Sequence, residues 1–178
     1  MIHADKGQAK KVIAEILRQA GGELGKTKLY KAFWLAHLFY CKSTRGYLTD
    51  WPIVRLPKGP GINNGDRLLA EMEQAGTVRV EHVPKGPFTE ICCKLIAASP
   101  DDLPEAAIAA IASAINELKD HTADSISALS HEQSRSWATT PNGHELDIYS
   151  DLIPDDVYAE RQRELQSLKK AYESLFPE

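Results

Sequence analysis

Between Lys28 and Cys41 the chain has no glycine or proline, and apolar or aromatic side chains fill nearly every position from Tyr30 onward. Read at helical period, Leu29, Phe33, Ala36 and Tyr40 make one stripe, and Tyr30, Trp34, Leu38 and Cys41 make another on a different side. A helix apolar around most of its circumference has to be covered by several neighbours. The stretch is too short, and too closely flanked by charge, for a membrane span of about 20 apolar residues. It is therefore expected to be the central helix of a water-soluble core, with Lys28, Lys31 and His37 as its polar interruptions.

The flanking segments supply the cover. Ala9, Val12, Ile13, Ile16, Leu17 and Ala20 recur at amphipathic spacing, and Gly21-Gly22 ends that helix. After the central helix, Ile53 to Leu56 reads as a short strand and Pro57 to Gly61 as a rigid loop. A third helix follows, with Asn63 or Asn64 as its cap, Asp66 in its first turn, and Leu68, Leu69, Met72 and Ala75 facing inward. Val78, Val80 and His82 alternate with Arg79 and Glu81, and Ile91, Cys93 and Leu95 form the returning strand, with the turn at Pro84 to Pro87. Three helices and then a hairpin is a winged-helix-like order. Beyond it, Ser99 to Pro104 opens a fourth helix whose stripe is Ile108, Ile111, Ile115 and Leu118. A short helix from Thr122 to Ser130 points Ile126 and Leu129 inward, and a last helix starts near Pro154. The fold class expected is mainly α (α+β): residues 1–150 form one helical domain with a hairpin near 77–97, and residues 151–178 form a C-terminal helix packed on it.

Net charge is −4 over 178 residues, but it is unevenly spread. Residues 1–60 hold 11 Lys/Arg against four Asp/Glu, and the remainder holds ten against 21. A basic N-terminal portion suits nucleic acid or an acidic protein, or the two parts attract each other within one domain. The three cysteines, Cys41, Cys92 and Cys93, include no CxxC pair, and no signal-like segment precedes the first helix. Reduced thiols in a cytoplasmic protein are the expectation.

Little in the sequence reads as catalytic. The six histidines fall in no zinc-type spacing, so neither a metal nor another cofactor is expected. Cys41 and Cys93 sit in apolar patterns and read as core thiols. Ser130 and His131 are sequence neighbours, but consecutive helical side chains diverge by about 100°. A role in capping or cross-linking a helix end suits them better than a nucleophile–base pair. Lys58-Gly59-Pro60-Gly61 precedes a helix but lacks the Gly-Lys-Ser/Thr ending of a phosphate loop. In the third helix, Asp66, Glu71 and Glu73 outnumber Arg67, which suits a polyanion poorly.

Several segments, taken in order, nonetheless resemble one family. They are Lys28-Leu29-Tyr30-Lys31 at the head of the aromatic helix, Gly59-Pro60 before the next helix, a helix ending at Gly76, and Leu129-Ser130-His131 followed by Trp137. Together they resemble the Panacea domain, the SocA-like antitoxin family. The chain departs from its pattern with Lys58 in place of an aromatic before Gly-Pro, and with Ala32-Phe33-Trp34 in place of Leu-Leu-Tyr. The resemblance implies a non-enzymatic antitoxin that binds a cognate toxin protein encoded by an adjacent gene, with no membrane and no cofactor involved. Lys28, Leu29, Lys31, Gly59, Pro60, Ser130, His131 and Trp137 lie on the motifs and are expected to be structural. Arg45, Tyr47, Trp51 and Lys58 are the candidate partner-binding residues, Trp51 being either a packed plug or a binding anchor. A winged-helix-like DNA-binding regulator is the second reading, and a hydrolase built on His131 and a nearby acid is the third.

Overall fold

The structure, a computed structural model, describes residues 5–44, 46–97 and 103–175. Arg45, Ser99 to Asp102 and Met1 to Ala4 therefore lie outside the described residues. Helix α1 (Lys6–Gln19) starts where the Asp5 carboxylate accepts the Gln8 N–H at 3.0 Å, and it buries Ala9, Val12, Ile13, Ile16 and Leu17. Strand β1 (Glu23–Gly25) leads directly into helix α2 (Lys26–Ser43). Every residue of α2 from Leu29 to Leu38 is buried. Full burial of Phe33, Leu29 or Leu35 is worth about 1.5–3 kcal/mol apiece, so α2 is the element on which the core closes. Helices α1, α4 (Glu105–Leu118) and α5 (Ala123–Gln133) pack around it, together with both sheets.

The β structure is larger than the sequence pattern indicates. Strands β4 (Val78–Lys85) and β5 (Phe88–Leu95) form the anticipated hairpin, and β1 adds to β5, giving an antiparallel sheet ordered β1-β5-β4. Three residues are too few to show an alternating pattern, so β1 is visible only through its partner. Helix α3 (Gly65–Gln74) lies between the two sheets in sequence and buries Leu68, Leu69 and Met72. Asn64 holds its cap position in the left-handed region, at φ 49°, without a side-chain cap bond.

The expected rigid loop at 57–61 is instead half of a second hairpin. Strand β2 (Ile53–Leu56) pairs antiparallel with β3 (Gly59–Ile62), turning at Pro57-Lys58. Proline is admissible here because Arg55, opposite Pro60, turns both backbone groups the other way. Its N–H donates to the His144 carbonyl and its carbonyl accepts the Gly143 N–H, each at 2.9 Å. Pro60 thus occupies a position that needs no N–H.

A second difference concerns α4. Its core face is Ala107, Ala110, Ile111, Ala114 and Leu118, while Ile108 is left partly exposed. The alanines let α4 approach the bulky α2 closely, which a row of isoleucines would prevent. Cys41 is half-buried, not a core thiol, whereas Cys93 is fully buried. Helix α6 (Arg135–Thr139) and a 3₁₀ turn (Ile148–Leu152) carry the chain to helix α7 (Asp155–Leu175), which buries none of its residues. Its first turn is held by Arg135, which pairs with Asp155 and lies over the Tyr158 ring at 4.1 Å. Among the described residues no helix is long and apolar enough to cross a membrane.

Candidate functional site

Lys31 is the least expected member of the core, with 2% of its surface exposed. Its side chain runs to the β2–β3 hairpin, where its Nζ donates to the Pro60 carbonyl at 2.9 Å. Burial holds the amine down to about 7, because the charged form is the one that loses solvation. Gly59 makes this arrangement possible. A Cβ at Gly59 would lie 2.5 Å from Lys31 Nζ and 2.3 Å from Ser130 Oγ, and its φ of +99° already favours glycine.

Ser130, on α5, is fully buried and donates to the Ser127 carbonyl at 2.7 Å. The next residue, His131, stacks on Trp137, with ring centroids 3.8 Å apart and planes 6° apart. The other face of this assembly is cationic: the Arg55 guanidinium lies 4.4 Å from the Trp137 ring centre. Trp137 in turn donates its Nε1–H to the Leu56 carbonyl at 3.0 Å, fastening α6 to the β2–β3 hairpin. Desolvation, then repulsion from Lys31 and Arg55, lowers the His131 imidazole from its ordinary value. Its Nε2 is buried without a hydrogen-bond partner.

Lys31, Gly59, Pro60, Ser130, His131 and Trp137, scattered over about a hundred positions, thus meet in one corner. Leu29 and Lys28 stand apart from it. Leu29 is fully buried, and Lys28 Nζ reaches the Leu118 carbonyl at 3.4 Å. Arg55, absent from the sequence-based candidates, is the neighbour that completes the corner. Its signal was its position as the one charge inside the apolar run Ile53 to Leu56.

In front of the corner lies a cleft of about 740 Å³ between α2, the β2–β3 hairpin and the start of α3, lined by Lys31, Lys58 and Gly59 among others. Lys26 and Asp66 pair across its rim at 2.7 Å, and the Tyr30 hydroxyl donates to Asp66 at 3.1 Å. Gly65 is pressed against Tyr30: a Cβ there would sit 2.3 Å from the phenolic oxygen.

Tyr47 and Trp51 border a separate cleft of about 540 Å³ with residues 145–149. Tyr47 is 67% exposed and leans on Tyr149, with ring centroids 4.7 Å apart. Trp51 is half-buried and donates its Nε1–H to the Asn63 carbonyl at 2.9 Å. The segment between them is fixed from below by His37. Its Nδ1–H donates to the Phe33 carbonyl at 2.7 Å, and its Nε2 accepts from the Thr49 hydroxyl at 3.0 Å. Thr49 Oγ1 also accepts the Trp51 N–H at 3.0 Å. Burial pushes His37 down to about 4, against the opposing effect of the Phe33 carbonyl, so the ring is neutral as this chain of bonds requires. The candidate contact residues therefore divide between two clefts, with Arg45 outside the described residues.

No group of His, Cys, Asp and Glu capable of holding a metal occurs among the described residues. No curated protein matches the chain, and no solved structure does. The model of the family described as "Antitoxin SocA-like, Panacea domain" matches residues 29–138, from the central helix through Trp137 and over well more than half of the chain. That interval contains all the residues of the corner and nearly all the walls of the cleft before it, and by this match the chain belongs to the SocA-like antitoxin family, with its Panacea domain at 29–138.

Proposed function

We propose that this protein neutralises a toxic partner protein by binding it directly, without catalysis. The observation that carries the reading is membership of an antitoxin-like family across the structured core. The geometry supports binding over hydrolysis, since Ser130 donates to a backbone carbonyl and His131 is stacked flat on Trp137. A hydrolase needs the nucleophile and its base in hydrogen-bond reach of each other. DNA binding draws no support from α3, whose Glu71 engages Lys6 and Lys10 at 3.0 and 2.8 Å and Arg67 at 3.2 Å. Those lysines are thereby occupied within the domain, and the basic N-terminal portion is in part the counter-charge of the acidic remainder. Tyr47 and Trp51 on one cleft, Lys58 on the other, and Arg45 are the residues proposed to meet the partner.

Co-expression with the reading frame beside its gene is the test. The frame's product is expected to arrest growth alone and to be harmless beside this protein, and the two are expected to co-purify. A harmless neighbour, or toxicity that persists although both proteins are made, refutes the reading.

A further inference from the structure

The corner behind the larger cleft carries positive charge that the fold does not neutralise. Lys31 Nζ has three N–H groups, and the Pro60 carbonyl accepts one. Among the described residues, no carboxylate pairs with Lys31, Arg55 or Lys58. The cations on the opposite rim are matched, Lys26 by Asp66 and Arg67 by Glu71. A charged amine with so little exposure is unfavourable unless an anion accompanies it. The cleft gives an anion its way in, because Lys31 forms part of its lining and Lys58 stands exposed at the hairpin turn. Between them the walls are apolar, from Val54, Leu56, Pro57 and Ile62.

We propose that this cleft receives an acidic side chain of the protein partner, an aspartate or glutamate flanked by apolar residues, whose carboxylate accepts from Lys31 Nζ while Lys58 draws it in. Naming the toxin as that partner rests on the antitoxin reading above. The cleft is several times larger than one carboxylic side chain, so it fits the acid together with its neighbours in a protein segment. A nucleic acid or a phosphorylated group fits less well: with Lys26 and Arg67 paired to Asp66 and Glu71, the cleft offers it one buried amine and one exposed lysine between apolar walls. The depressed basicity of Lys31 agrees with an amine awaiting its counter-charge.

Two measurements decide this. In the first, acetate is titrated against the isotope-labelled protein at constant ionic strength, with the Lys31 Cε–Hε signal followed by NMR. A saturable shift is expected with acetate and none with chloride. The backbone amides of Gly59 and Gly61, followed in parallel, are expected to shift with acetate in the wild type and not in Lys31→Met, whose melting temperature shows that it is folded. Absence of a saturable shift in the wild type overturns the site. In the second, the product of the neighbouring frame is bound to wild type, Lys31→Met and Lys58→Glu. Lys31→Met is expected to bind about 10- to 100-fold more weakly, the loss of one charge-assisted hydrogen bond. Lys58→Glu, exposed and neutral to folding, is expected to slow association in a salt-dependent way. Equal affinity of all three overturns the proposed occupant while leaving the antitoxin reading in place. Failure of the wild type to bind refutes the antitoxin reading, and the acetate titration still decides the site.

Discussion

Lys31 carries a charge into a place that does not solvate it, and the consequence is measurable without knowing the partner. Its amine is held near 7 in the folded protein, against 10.5 for an exposed lysine. Between those values the unfolded chain keeps the proton and the folded chain sheds it. The unfolded state thus binds more protons, and raising the pH favours folding. The contribution of Lys31 is least favourable below about pH 7 and improves as pH climbs toward 10.5, by up to about 1.4 kcal/mol per pH unit. Urea unfolding of wild type and Lys31→Met at pH 6.5, 7.5, 8.5 and 9.5, values chosen to span roughly that window, checks this. The variant is expected to be the more stable of the two at the lowest pH, with the gap closing as pH rises. A constant gap would mean that Lys31 keeps its proton in the core. The sequence marks Lys31 only as a polar break in an apolar helix, since nothing local shows that its head meets a carbonyl 29 positions away.

At the level of elements, the β2–β3 hairpin joins the core helix to the motif corner. Its carbonyls at Pro60 and Leu56 accept from Lys31 and Trp137, so α2 and α6 are both tied to one small ribbon. Gly59 is its tightest point, and Gly59→Ala is expected to destabilise the protein by roughly 2–4 kcal/mol, from backbone strain and displacement of the Lys31 head. Chemical denaturation checks the magnitude. A change under about 0.5 kcal/mol, the range of an inert surface substitution, would show that the corner yields easily. The helices α1, α2, α3 and α5 and the β4–β5 hairpin were legible because their apolar periods are strong, and for α1 and α3 because a glycine follows the last turn. Gly59-Pro60-Gly61 was not, because glycine and proline signal a turn locally while the pairing that makes them a strand comes from Ile53 to Leu56. In α4 the period was right and Ile111 and Leu118 do face inward, with Ile115 packed at the edge of the core, but the face is centred on the alanines and leaves Ile108 partly exposed. Isoleucines outweigh alanines in any hydrophobicity count, whereas close packing on α2 selects the alanines. The candidate site was legible as a set of motif residues, and the meeting of most of them in one corner was not, since that depends on contacts between segments about 70 positions apart.

On the scale of the whole molecule, charge and packing divide the chain differently. The basic N-terminal portion is drawn onto the acidic remainder through Lys6, Lys10 and Lys26, which ties α1 and α2 to α3. Helix α7 is different, being exposed along most of its length. Leu165, Leu168 and Leu175 are 58%, 66% and 73% exposed, and none of the 21 residues of the helix is buried. Helices in proteins gain most of their stability from packing an apolar face, and α7 buries none of its own. The core should therefore stand without most of α7. Ending the chain after Tyr158 keeps the Arg135 contacts with Asp155 and Tyr158 and removes a segment in which no residue is buried. The truncated protein is expected to unfold within about 0.5 kcal/mol of full length, as surface changes do. In the full-length protein, amides of 160–175 are expected to exchange far faster than those of α2, which open only with global unfolding. A loss of more than about 2 kcal/mol on truncation, or slow exchange through α7, would place that helix in the cooperative core and contradict its exposed apolar side chains.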